Sequence, residues 1–106
     1  MDCTFCKITS GQIPTDYVAV SEHAVAFNDI SPRQPVHVLV VPKAHFNDVA
    51  ELSVAAPEVL ADVMALAVKV ANQTSSGSFR LTFNTGEEAG QTMFHVHAHV
   101  TSTTPR

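Results

Sequence analysis

Three of the six histidines in this 106-residue chain stand at positions 95, 97 and 99, in the run F-H-V-H-A-H-V (94–100). If the run is a strand, alternate side chains face opposite sides. His95, His97 and His99 then share one face, while Val96, Ala98 and Val100 share the other and can pack on a core. Same-face neighbours on a straight strand lie about 7 Å apart. Three rings from one straight strand therefore do not converge on a single ion, although two could do so with a third ligand from a neighbouring strand. Histidine is not a favoured strand filler, and imidazole can attack, donate or accept a proton near neutral pH. The spacing points to a metal site or to a catalytic row. Cys3 and Cys6 form a C-x-x-C pair, which suits half a metal site, a redox couple or two unbonded thiols.

These residues need elements to position them, and hydropathy patterning supplies candidates. Residues 4–10 read as a short helical turn that stops at Gly11. Residues 16–21 and 25–28 read as a hairpin turning across Glu22-His23. A loop with two prolines follows, and then V-H-V-L-V-V (36–41) is a strand ending at Pro42. Residues 54–73 carry Leu60, Val63, Met64, Ala67, Val70 and Ala71 at spacings of three and four, which predicts one long helix. Ser53 could cap it, or Pro57 could occupy its first turn. F-R-L-T-F-N (79–84) alternates as a strand, T-G-E-E-A-G-Q (85–91) is a loop, and 93–100 is the last strand. About five strands, one long helix and one short one, with no βαβ rhythm, predict an α+β domain with an antiparallel sheet, spanning 1–106 as a single unit.

Composition narrows the function classes. The chain is 45% hydrophobic and only 15% charged, with a formal net charge of −4. The six Lys and Arg are scattered, so phosphate-neutralising nucleic-acid binding is not expected. An anionic ligand would receive no long-range steering and would need local donors. No segment approaches the roughly 18 apolar residues of a membrane span, and M-D-C-T-F-C-K does not begin a signal peptide. The expectation is a cytoplasmic protein with reduced cysteines.

The run at 94–100 resembles the signature of the histidine triad family: His, apolar, His, apolar, His, then apolar residues, departing only at Thr101. C-T-F-C-K-I-T-S-G-Q-I-P (3–14), A-F-N-D-I-S-P-R-Q-P-V-H-V-L-V-V-P-K-A-H (26–45) and N-T-G-E-E-A-G-Q-T-M-F-H-V-H-A-H-V (84–100) resemble the Hint branch of that family, in order and at similar spacing.

The resemblance implies a dimeric α+β hydrolase or transferase acting on purine nucleoside phosphoramidates and related nucleotides. It implies that His97 is the nucleophile that forms a nucleotidyl-histidine. His99 would then contact phosphate and share protons with the leaving group, with His37 reaching the row from strand 36–41. Asn84 and Thr92 match phosphate or leaving-group contacts, and Asp29 matches the acceptor of the ribose hydroxyls, although Asp before Ser-Pro is also a common turn residue. Phe5, Ile8, Phe27, Ile30 and Leu39 match the walls of a base pocket. Cys3, Cys6, His45 and His95 match the ligands of a structural zinc in zinc-containing relatives. Two other classes remain: a zinc hydrolase using two of the row's histidines with His37, and a nucleotide-binding partner module without turnover.

Overall fold

The computed structural model describes residues 3–106. Met1 and Asp2, the start of the segment expected not to form a signal peptide, lie outside them. Five strands form one antiparallel sheet in the order β1-β2-β3-β5-β4. They are β1 (Tyr17–Val20), β2 (Ala24–Asn28), β3 (Val36–Pro42), β4 (Arg80–Thr82) and β5 (Ala98–Ser102). Three α-helices, α1 (Thr4–Thr9), α2 (Val49–Ala55) and α3 (Pro57–Thr74), complete the α+β architecture with a short 3-10 turn at Glu87–Ala89. None of these helices is long and apolar enough to cross a membrane.

The sheet has two differently used faces. Ala24, Ala26, Val36, Val38, Val40, Ala98 and Val100 point to one side and meet Val59, Val63, Leu66, Ala67 and Val70 of α3. Val25, Phe27, Leu39 and Val41 point to the other, where Phe5 and Ile8 of α1 cover only part of the surface. His37 and His99 lie on this second face, because both alternate with residues of the first. The long helix thus provides the main core, and the short one leaves room for a site.

Two elements differ from the sequence pattern. The helix expected over 54–73 is two helices, broken at Ala56 (φ −151°, ψ 70°). Pro57 occupies the first turn of α3, and the residue before a proline is pushed out of the helical region. Ser53 is not a cap: Asp48 caps α2, its Oδ1 accepting from the Glu51 amide at 2.8 Å. The last strand begins at Ala98 rather than 93, so His95 and His97 precede it. The β3–β5 ladder stops at Val40↔Ala98 because the groups that would extend it are otherwise engaged. Pro42 has no amide to donate, its carbonyl accepts from His95 Nε2, and the Val96 amide donates to the Phe46 carbonyl at 2.7 Å.

Candidate active site

Breaking the strand at residue 98 alters the spacing of the histidines. The ring centroids of His97 and His99 are 4.8 Å apart, closer than a straight strand would place them, while His95 turns away to a separate cluster. Phe5 of α1 touches both groups edge-on, 5.9 Å from the His95 ring and 5.1 Å from that of His97.

The hydrogen-bond partners fix the tautomers. A carbonyl only accepts, so the 2.8 Å contact of His97 Nδ1 with the His95 carbonyl places the proton on Nδ1 and a lone pair on Nε2. The Arg33 amide donates to His37 Nδ1 at 3.2 Å, which places the His37 proton on Nε2. That Nε2 lies 3.0 Å from His99 Nδ1 and 3.4 Å from Asp29 Oδ2. His99 then accepts at Nδ1 and carries its proton on Nε2. Burial pushes the His97 pKa below the usual imidazole range, against the pull of the His95 carbonyl and Asp29. Burial, with His97 and His37 close by, pushes His99 down to about 4. Both rings are therefore neutral at physiological pH, and His97 presents an unprotonated nitrogen.

A cavity of about 470 Å³ opens over these rings. Phe5, Ile8, Phe27 and Leu39 supply buried apolar wall, and Asp29, Asn84, Thr92, His97 and His99 supply polar lining. Ile30 is at the rim rather than in the wall, 98% exposed. His37 does not line the cavity and meets it through His99. Asp29 combines both uses weighed for it: Oδ1 accepts from the Ser31 amide at 2.8 Å, closing a turn, while Oδ2 faces His37 and the cavity. Arg33 and Met93 also line the space, and nothing in the periodicity singled them out.

The second cluster gathers Cys3, Cys6, His45 and His95, whose ligand atoms lie within 4.8 Å of one another. His95 Nε2 donates to the Pro42 carbonyl at 2.9 Å, leaving the Nδ1 lone pair facing both thiols at 3.4 Å. His45 Nε2 donates to Asn47 Oδ1 at 3.1 Å, leaving its Nδ1 facing Cys6 Sγ at 3.3 Å. Tetrahedral zinc with ordinary Zn–S and Zn–N bonds separates S from N by about 3.6 Å, so two thiols and two correctly oriented imidazoles fit that ion. Each histidine also has the outer hydrogen bond that metal-bound imidazoles use. Asp29, His37 and His99 form another compact group, but there the proton of His37 sits on the nitrogen that an ion would need.

Sequence patterning gave no sign of Gln91. It is 2% exposed, donates from Nε2 to the carbonyls of Asn47 (2.6 Å) and Met93 (3.1 Å), and accepts at Oε1 from the Gly86 amide (2.9 Å). It ties the Thr92 segment to the loop bearing His45. Gly90 before it is left-handed (φ 92°), a conformation that residue order alone does not reveal.

Comparisons with known proteins agree with this geometry. A family model described as "Scavenger mRNA decapping enzyme C-term binding" matches residues 2–105. The chain is 37% identical over 106 residues to Protein HitA of Neisseria gonorrhoeae, covering 96% of each. It is 34% identical over 98 residues to the purine nucleoside phosphoramidase of Escherichia coli (strain K12), covering 91% of this chain and 82% of that one. It superimposes on the HIT family hydrolase from Clostridium thermocellum with a TM-score of 0.88 at 38% identity, covering 95% of this chain and 90% of that structure.

Proposed function

The chain belongs to the histidine triad family of nucleotide-binding hydrolases, and from that premise we propose that this single domain cleaves purine nucleoside 5'-phosphoramidates through a nucleotidyl intermediate on His97. The observation that carries the reading is the hydrogen bond from His97 Nδ1 to the His95 carbonyl, which leaves Nε2 unprotonated beside His99 in a cavity with apolar and polar ends.

In the first step His97 Nε2 bonds to the α-phosphorus and the P–N bond breaks. The departing amine takes a proton from His99 Nε2. Although His99 is neutral in the free protein with its one proton on Nε2, an anionic phosphate beside the ring raises its proton affinity, so the ring takes up a second proton, on Nδ1, as substrate binds, while the His37 Nε2 proton turns to Asp29 Oδ2. In the second step water attacks phosphorus, gives a proton back to His99, and the P–Nε2 bond breaks. The products are a nucleoside monophosphate and an amine, with one water consumed. Asn84 and Thr92 hold phosphate oxygens, and Asp29 accepts from the ribose. Phe5, Ile8, Phe27 and Leu39 enclose the base, with Ile30 at its edge. His37 acts as a positioning residue by holding the His99 tautomer.

Cys3, Cys6, His45 and His95 would hold zinc, whose part would be structural, tying α1 to the segment before β5, while the chemistry stays on His97 and His99. Ligand thiols kept reduced suit a cytoplasmic location. A homodimer is supported by the free backbone edge of β4 at one end of the sheet and by partly exposed Met64 and Val68 on α3.

The test is hydrolysis of adenosine 5'-phosphoramidate by the wild type and by His97→Ala, with circular dichroism of both. Turnover by the wild type and none by a folded variant supports the reading. AMP binding by the wild type without turnover makes this a nucleotide-binding module instead.

A further inference from the structure

The sheet face that carries His37 and His99 continues past them. A second recess of about 260 Å³ is lined among others by Gln34, Arg80, Thr101 and Thr103. The register places it: Thr101 pairs with His37 on one side and with Arg80 on the other, and Thr82 pairs with His99. Directly paired residues share a face and strands are about 4.8 Å apart. Arg80 therefore starts two strands, about 10 Å, from His37, with a long side chain on the same face. Arg33 lines the main cavity and Gln34, the next residue, lines the recess, so one peptide unit borders both spaces.

Among the described residues no carboxylate pairs with the guanidinium of Arg33 or Arg80. Two of only six Lys and Arg in a chain of net charge −4 thus flank the histidine pair without an internal partner. An arginine on an open strand face is commonly just solvated, but here Arg33 lines the cavity with His99 and Arg80 lines the recess next along the same sheet face, paired with Thr101. The charge of Arg33 is also felt at His99, where it opposes protonation.

We propose that this recess is a subsite for an anion on the leaving group: the preferred substrates release amines that carry a carboxylate or a phosphate, gripped by Arg80 with Thr101 and Gln34, and by Arg33 from the cavity side. This rests on the phosphoramidase reading above and names its substrate class. The reaction is unchanged. The P–N bond breaks, His99 protonates the amine, and the anion leaves intact, since Arg80 makes only hydrogen bonds. A guanidinium suits both candidates because its paired N–H groups match the oxygens of either anion.

The experiment compares four adenosine 5'-phosphoramidates: the unsubstituted compound and those of 3-aminopropanoate, its neutral amide, and 2-aminoethyl phosphate. The wild type is expected to show kcat/KM about tenfold higher for an anionic amine than for the neutral amide, falling as salt is raised. Arg80→Gln removes that preference and leaves the unsubstituted substrate unchanged, and Arg80→Lys restores part of it. Whichever of the carboxylate and phosphate gains more identifies the anion. Equal rates on the anionic and neutral amines, or an Arg80→Gln loss shared by all four substrates, overturns this proposal alone. No wild-type turnover of the unsubstituted compound overturns the phosphoramidase reading and this proposal with it.

Discussion

The backbone carbonyl of His95 accepts a hydrogen bond from Nδ1 of His97 at 2.8 Å, while the His95 ring faces Cys3 and Cys6. One residue thus belongs to the Cys3–Cys6–His45–His95 cluster by its side chain and to the proposed nucleophile by its main chain. Phe5, set between the two cysteines in sequence, touches the rings of both His95 and His97. The cluster and the cavity share a wall, so disturbing one is felt in the other.

That shared wall makes metal removal a graded perturbation. Cys3→Ser with Cys6→Ser is expected to abolish stoichiometric zinc, read by elemental analysis, and to lower Tm by about 10 °C. Phosphoramidate hydrolysis below the new Tm is expected to fall by less than about tenfold, because the chemistry stays on His97. His97→Ala is expected to lose at least about a thousandfold while keeping its zinc. Complete loss of activity in the folded, zinc-free protein would instead make the ion part of the reaction.

The depressed pKa of His99 sets a pH dependence. Its folded value of about 4, against 6.5 for a free imidazole, comes from burial first and then from His97 and His37. The unfolded chain therefore binds the extra proton first as pH falls. The stabilisation is fully present above pH 6.5 and drains away towards pH 4. Tm is expected to decline across that window, and His99→Asn to flatten the decline. A wild-type Tm independent of pH from 6.5 to 4 would show that the ring is more solvated than its burial indicates.

Much of this was legible from residue order. The β2–β3 strands, α3 and the alternation of the HVHAHV run follow from period alone, because each buries a continuous apolar stripe. What was not legible depended on contacts distant in sequence. The His95 ring is drawn to the Pro42 carbonyl, 53 residues away, and this helps end the strand early. The split between α2 and α3 was readable at Ala56-Pro57 but was masked by apolar residues that continue across it. Pairing of His37 with His99 required the β3–β5 register, which no local pattern encodes.

Away from the site, Asp62 of α3 fastens the β1–β2 turn. Its Oδ2 accepts from Ser21 Oγ at 2.6 Å and from the His23 amide at 2.8 Å. The Ser21 hydrogen bond above all holds its carboxyl below the ordinary value of 3.8. A lowered carboxylate pKa stabilises the fold above about pH 4 and loses that contribution as pH falls further. Asp62→Ala is expected to cost about 1–2 kcal/mol in urea unfolding at pH 7, with phosphoramidate kcat/KM unchanged. An equal cost at pH 7 and pH 3 would show that the charge is not what matters.

Gln91 gives the sharpest separation between local structure and site chemistry, because its three hydrogen bonds span the two clusters. Gln91→Ala removes the partner of the carbonyls of Asn47 and Met93 and of the amide of Gly86 in a part-buried setting, at about 1–3 kcal/mol. The Asn47 loop orients His45, and the segment after Gln91 carries Thr92, so both should loosen. Zinc is expected to exchange faster with a chelator, and kcat to fall more than KM rises, since the segment released is the one lining the cavity beside His97 and His99. Gln91→Glu keeps the shape but places a carboxylate against two carbonyls, and is expected to be as damaging at pH 7 and to recover on acidification as it takes up a proton. A variant that loses stability alone, with zinc exchange and kcat intact, would confine Gln91 to holding the loop closed.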